Sequence, residues 1–122
     1  MAVYKFENLE VWNISLDLTD KVYEISYQLP EIEKYNLITQ IIRAATSISL
    51  NIAEGSTTSS NAEQNRYLKI AKRSLIEVVA CLRLIHRRKY EIDSKFLAET
   101  ESVIDILYPK LCAFIKFLFN QK

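Results

Sequence analysis

Residues 36–55 read NLITQIIRAATSISLNIAEG, and within them Leu37, Ile41, Ala44, Ile48 and Ile52 recur at spacings of three and four. That is the period of one face of an α-helix, not the period of two that a half-buried strand requires. Asn36 precedes the run as a candidate N-cap. Gly55, the only glycine in the chain, closes it where a left-handed C-terminal cap would need one. The pattern predicts a helix from about Leu37 to Glu54.

The same period continues on both sides of this stretch. Over residues 9–28, Val11, Ile14, Leu18, Val22, Ile25 and Leu29 form a helical line, with Asn8 as its expected N-cap and Pro30 as its stop. Ser60 and Glu63 have the spacing of a capping box, so a third helix is expected to start there. Its apolar face is Tyr67, Leu68, Ala71, Leu75, Val78, Val79, Leu82, Ile85 and His86, and it fades near Tyr90. A fourth helix is expected from Asp93 or Ser94, with Leu97, Ile104, Leu107, Leu111, Ile115 and Leu118 as its seam. Pro109 lies inside it and predicts a kink near 105–109 rather than a break.

Composition agrees with a few long helices. The 122 residues hold one glycine and two prolines, so a fold rich in tight turns lacks its usual turn residues. Short connections between long amphipathic helices favour antiparallel neighbours. The expected fold is therefore all-α: an antiparallel up-down-up-down four-helix bundle, with residues 1–122 forming one domain. No segment is apolar for the roughly 20 residues of a membrane span, and the N-terminus has no uninterrupted apolar run of the signal-peptide kind. A cytoplasmic location without membrane contact is expected. Cys81 and Cys112, each in an apolar run and not in a Cys-x-x-Cys pair, read as buried free thiols.

Charge is unevenly distributed. The formal net charge is only +1, yet residues 60–89 carry eight basic residues against Glu63 and Glu77. Seven of the eight, Arg66, Lys69, Lys72, Arg73, Arg83, Arg87 and Arg88, fall within an arc of roughly 160° opposite the apolar face of the third helix. Such a stripe is the electrostatic footprint of polyanion binding, by RNA or DNA. It is equally the solvated face of a helix, or a partner for the acidic first helix of this or a neighbouring subunit. That first helix carries Glu7, Glu10, Asp17, Asp20 and Glu24 against Lys21. It also has a second line, Leu9, Trp12, Leu16, Tyr23 and Tyr27, one residue round from the first. Two readings fit: a wide core-facing stripe, or an aromatic flank (Trp12, Leu16, Tyr23, Tyr27) packed on another subunit.

Catalytic constellations are missing. His86 is the only histidine, and its place on the apolar side of the third helix reads as a core histidine. Di-iron bundles require paired Glu-x-x-His motifs, and zinc requires more ligands than one histidine and two distant cysteines. No enzymatic activity, cofactor, metal or small-molecule substrate is expected. One polar set does stand out on the second helix, where Gln40, Arg43, Ser47, Asn51 and Glu54 fall within about 80° of one another. The expectation is a half-buried hydrogen-bonded network, with Glu77 and arginines of the third helix as partners.

These residues resemble the four-helix-bundle family encoded in intervening sequences of bacterial 23S rRNA genes. The likeness runs through Phe6, Leu9, Val11-Trp12, Val22-Tyr23, Leu29-Pro30 and Glu33-x-Tyr35-x-Leu37. Its most specific part is Gln40-Ile41-Ile42-Arg43-Ala44-Ala45, Ser47-Ile48 and Asn51-Ile52-Ala53-Glu54-Gly55, continued by Leu68-x-Ile70-Ala71 and Ser74-Leu75-x-Glu77. The resemblance implies a homo-oligomer, a ring-shaped pentamer, with no established enzymatic activity. A related accessory protein of diversity-generating retroelements looks like the same fold and binds nucleic acid and a reverse transcriptase through a basic surface. The chain departs from the pattern at Ile42, Arg73 and Val79 and in lacking an arginine after Gly55. The stripe on the third helix is untouched by those departures.

Overall fold

The computed structural model describes residues 3–121. Four helices, α1 (Glu10–Gln28), α2 (Leu37–Gly55), α3 (Asn61–Arg87) and α4 (Ser94–Phe119), follow one another with short 3-10 turns at Lys5–Asn8 and Glu31–Glu33. Each helix touches its neighbours in sequence, and α4 closes back on α1, whereas α1 and α3 make no backbone contact among the described residues. The four therefore stand at the corners of a square, with α1 and α3 on one diagonal.

Cross-helix pairs give the direction of each helix. Gly55 lies against Tyr67, Ser47 pairs with Ser74 and Arg43 with Glu77, so numbers fall on α2 as they rise on α3. Glu10 with Lys110 and Lys21 with Glu99 make α1 and α4 antiparallel, and Asn65 with Ile115 and Arg83 with Glu101 do the same for α3 and α4. The arrangement is the up-down-up-down bundle.

The core is built from the predicted lines. Leu18, Val22 and Ile25 of α1, Ile41, Ile48 and Ile52 of α2, Leu68, Leu75 and Ile85 of α3, and Leu107 and Leu111 of α4 are buried. Ile14, Val79, Leu97 and Ile115 pack at its margin. Burying one such side chain contributes roughly 1.5–3 kcal/mol, which is why the apolar lines set the fold.

Helix ends follow the sequence in part. Ser60 Oγ accepts from Glu63 N at 3.1 Å. Asp93 caps α4 by accepting from Lys95 N and Phe96 N. α4 passes Pro109 unbroken. The carbonyl that loses its donor there belongs to exposed Asp105, so water can satisfy it.

Three expectations change. Asn8 is not the cap of α1; it ends the first 3-10 turn, Leu9 takes the cap position, and Asn13 Nδ2 donates to the carbonyls of Glu7 and Leu9. Gly55 is not a left-handed cap, because its φ is not positive; the one positive φ among the described residues, 59°, belongs to Lys89 in the turn between α3 and α4. Glycine is needed at 55 for room: a Cβ there would stand 3.0 Å from the Tyr67 Cβ. His86 is exposed, not in the core. The chain arcs through 88–93 before α4 begins, and Tyr90, Ile92 and Leu97 pack on the core there but leave a cavity beside Leu82 and Ile85, on whose rim His86 lies.

Candidate nucleic-acid interface

The basic face of α3 is a consequence of its length and packing. Its inner side is held by α2 and α4, and the residues opposite must face water. Arg66, Lys69, Arg73, Arg83, Arg87 and Arg88 are exposed and Lys72 is half-buried. Asn61–Arg87 is unbroken and Arg88 keeps helical dihedrals, so the line extends over about 33 Å at 1.5 Å per residue.

Local partners occupy some of these cations. Arg83 Nη1 lies 2.6 Å from Glu101 Oε1 of α4, and this carboxylate holds the guanidinium above its ordinary pKa. Arg66 reaches Glu63 only at 4.0 Å and covers the Tyr67 ring, and Lys72 stands over Tyr108 at 5.9 Å from the ring centroid. Among the described residues, Lys69, Lys72, Arg73, Arg87 and Arg88 pair with no carboxylate. Acidic α1 lies across the diagonal. Its Asp17, Asp20 and Glu24 line a shallow groove of about 350 Å³ with Lys21, Phe96 and Val103, on the side of α4 away from α3. Within one subunit the two charged faces do not neutralise each other.

The polar set on α2 is realised only in its middle. Ser47 Oγ meets Ser74 Oγ at 2.8 Å, and Asn51 Nδ2 donates to Ser47 Oγ at 3.1 Å and to the Ser47 carbonyl at 2.8 Å. Arg43 reaches Glu77 at 3.4 Å, with its side chain 70% exposed, so solvent screens that pair. Gln40 turns away to donate to Asn36 Oδ1, and exposed Glu54 has no side-chain hydrogen bond among the described residues. Gln40 and Glu54 are both exposed, so neither end of the set is enclosed between α2 and α3.

Several polar contacts went unread in the sequence. Ser15 Oγ donates to the Trp12 carbonyl at 2.6 Å, so it accepts from Ser49 Oγ at 2.8 Å in the core between α1 and α2. Buried Glu33 accepts from the Tyr90 hydroxyl at 2.6 Å and from Asn36 Nδ2 at 3.3 Å. The Tyr90 hydrogen bond holds the Glu33 carboxyl below its ordinary pKa and lifts the Tyr90 phenol above its own. Asn65 Nδ2 donates to the Ile115 carbonyl, while its Oδ1 is the one buried side-chain atom without a partner among the described residues. Asn65 looks like one more polar residue of the third helix in the sequence, and only the packing of α4 distinguishes it.

The aromatic flank of α1 divides. Trp12 is half-buried, with its ring 4.6 Å edge-on from the ring of Phe6 in its own chain. Leu16, Tyr23 and Tyr27 are exposed, Tyr27 by 76%. Of the thiols, Cys81 is buried, which pushes its pKa up, whereas Cys112 is only partly covered; both are free. Among the described residues no cluster of three or more His, Cys, Asp or Glu side chains is placed to hold a metal, and no helix is long and apolar enough to cross a membrane.

Fold and surface together define an antiparallel four-helix bundle that presents one basic helix to solvent. The chain belongs to the 23S rRNA-intervening sequence protein family, whose model matches residues 7–110. It is also similar to a crystal structure of a protein with unknown function from the S23 ribosomal protein family of Bacteroides thetaiotaomicron VPI-5482. The two are 26% identical, with a TM-score of 0.77, over 87% of this chain and 98% of that one. No curated protein matches the chain.

Proposed function

We propose that the protein is a non-enzymatic, oligomeric, cytoplasmic bundle that binds nucleic acid through α3. One observation carries the reading: among the described residues, Lys69, Lys72, Arg73, Arg87 and Arg88 lie along one helix with no carboxylate at ion-pair distance, although the chain is nearly neutral and its acidic helix is on the opposite corner. Unpaired cations in a line repel one another, and a polyanion relieves that repulsion while releasing its own counterions. Arg66 and Arg83 belong to the same face, Arg83 reduced by its bond to Glu101. If five phosphates are contacted, affinity for duplex should fall roughly 10²–10³-fold between 50 and 200 mM salt. A mobility shift of structured RNA or DNA tests this. Lys69→Glu with Arg87→Glu should abolish the shift, and an unchanged shift in that variant overturns the reading.

A second reading is favoured by a different surface. Exposed Leu16, Tyr23 and Tyr27 lie next to acidic Asp20 and Glu24 on α1, a combination suited to a contact between copies, with a pentamer as the stoichiometry the family resemblance implies. In a scaffold without nucleic-acid contact, the basic helix docks on such an acidic surface. Sedimentation of Tyr23→Asp with Tyr27→Asp should show a shift towards monomer; the same mass as the parent would remove this flank from any interface. Trp12 is unsuited to the test because it also holds Phe6.

A further inference from the structure

Resting on the nucleic-acid reading of α3, we infer that the partner is a double helix, DNA or RNA, gripped by its two phosphate ridges and not read for sequence. The basic face is interrupted. No lysine or arginine occurs between Arg73 and Arg83, and the outward positions of that interval are Ile76, 50% exposed, and Ala80. The one acid of the interval, Glu77, is turned to Arg43 of α2. Arg66, Lys69, Lys72 and Arg73 therefore form one cluster, and Arg87 and Arg88, with Arg83 beside them, form another.

Along the axis the gap is about 15 Å from Arg73 to Arg83, or about 21 Å to Arg87, the nearest cation that no carboxylate holds. A single strand laid along this face would carry phosphates over Ile76 and Ala80 with no cation to meet them. A duplex presents a groove there instead. The B-form major groove is about 12 Å wide, so a helix crossing it puts one cluster on each flanking ridge.

The chemistry of the face points the same way. Single-strand binders combine a continuous positive track with aromatic platforms for the bases. Of the rings near the cations, Tyr67 is half-buried beneath Arg66, Tyr108 of α4 is half-buried beneath Lys72, and His86, though exposed, lies at the α4 seam beside Leu97 and Ala98. Of the α3 amides, Gln64 and Asn65 are buried, and exposed Asn61 stands at the helix start, outside the gap between the two clusters. The arginines and lysines lie to either side of the gap, over which Ile76 and Ala80 offer no hydrogen-bonding side chain to a base edge, so they position a duplex by its backbone.

Fluorescence anisotropy with a labelled DNA strand, its DNA duplex, the RNA duplex of the same sequence and a shuffled duplex tests the inference. The expected result is binding of duplex roughly tenfold or more tighter than of single strand, with the shuffled duplex within about twofold. The DNA and RNA arms show which helix fits better. Ile76→Lys with Ala80→Lys, both at exposed positions, should close the gap and raise single-strand affinity more than duplex affinity. Equal or tighter binding of the parent protein to single strand overturns the duplex inference and leaves the nucleic-acid reading standing. Absence of binding to every probe overturns both.

Discussion

Gly55 and Tyr67 bring α2 and α3 together at the point where α2 ends: a Cβ on residue 55 would stand 3.0 Å from the Tyr67 Cβ and 3.4 Å from the Gln64 carbonyl. Both atoms are fixed to the α3 backbone, so neither can swing aside. Gly55→Ala gains up to about 1 kcal/mol of helix propensity and meets an overpacking penalty of about 1–3 kcal/mol. The expected outcome is a net loss of about 1 kcal/mol, seen as a lower urea midpoint with an unchanged slope. Tyr67→Ala in the same chain should not restore the loss, because alanine keeps the Cβ. A Gly55→Ala protein more stable than its parent would refute the close-approach account.

The Ser15 and Ser49 hydroxyls form a buried pair at 2.8 Å across α1 and α2. Ser15→Ala leaves the Ser49 hydroxyl without an acceptor on the facing helix, at a cost of about 1–2 kcal/mol. Replacing both serines by alanine removes the stranded group and should be nearly neutral. A double-mutant cycle by chemical denaturation checks this, with additive losses as the contrary result.

Glu33 and Tyr90 join the turn after α1 to the turn after α3 by a 2.6 Å hydrogen bond. The Glu33 carboxyl titrates below its ordinary 4.5, so its contribution to stability is complete above that value and is lost as pH falls through the lower folded-state pKa. The Tyr90 phenol is shifted above its ordinary 10.0, so its contribution is complete below that value and is lost as pH rises through the higher folded-state pKa. Thermal melts of Tyr90→Phe should show a lower Tm than the parent by a constant amount between about pH 5 and 9, narrowing at both extremes. A Tm difference independent of pH across the whole range would contradict the linkage.

The helices were legible because each apolar line repeats over several turns, so errors in one residue do not disturb the period. Local contacts were legible too, as at Ser60 with Glu63 and at Asp93, where the partner lies two or three residues away. What the sequence concealed depends on which helix stands opposite. Gly55 marks the end of α2 correctly for the wrong reason, since its neighbour is Tyr67 and not its own dihedral. His86 shares an angular sector with core residues, but it lies near the end of α3, on the rim of a cavity beside the 88–93 turn, and is exposed. Ser15, Glu33 and Asn65 look like surface polar residues until their partners at 49, 90 and 115 are brought to them. The basic face was legible as an arc, whereas its pairing was not: which cations meet a carboxylate depends on α4 and on the diagonal placement of α1.

Arg83 gives the sharpest test of the electrostatic reading, because among the described residues it is the one cation of the α3 face that a carboxylate of another helix holds, at 2.6 Å from Glu101. The pair is largely exposed, its side chains 62% and 36% accessible, so solvent screens it and Glu101→Ala should change folding stability by no more than about 1 kcal/mol. The same substitution frees a guanidinium beside Arg87 and Arg88. If α3 binds a duplex through phosphates, affinity at low salt should rise several-fold, and the slope of log K against log salt should steepen by about 0.9, the increment for one further phosphate contact. Arg83→Ala should leave the parent slope almost unchanged, since its charge is already satisfied, while Arg87→Ala should flatten it by about the same increment. Measured on one duplex across a salt series, these three variants separate charge that is free from charge that is merely present. Equal effects of Arg83→Ala and Arg87→Ala would show that the bond to Glu101 gives way on binding.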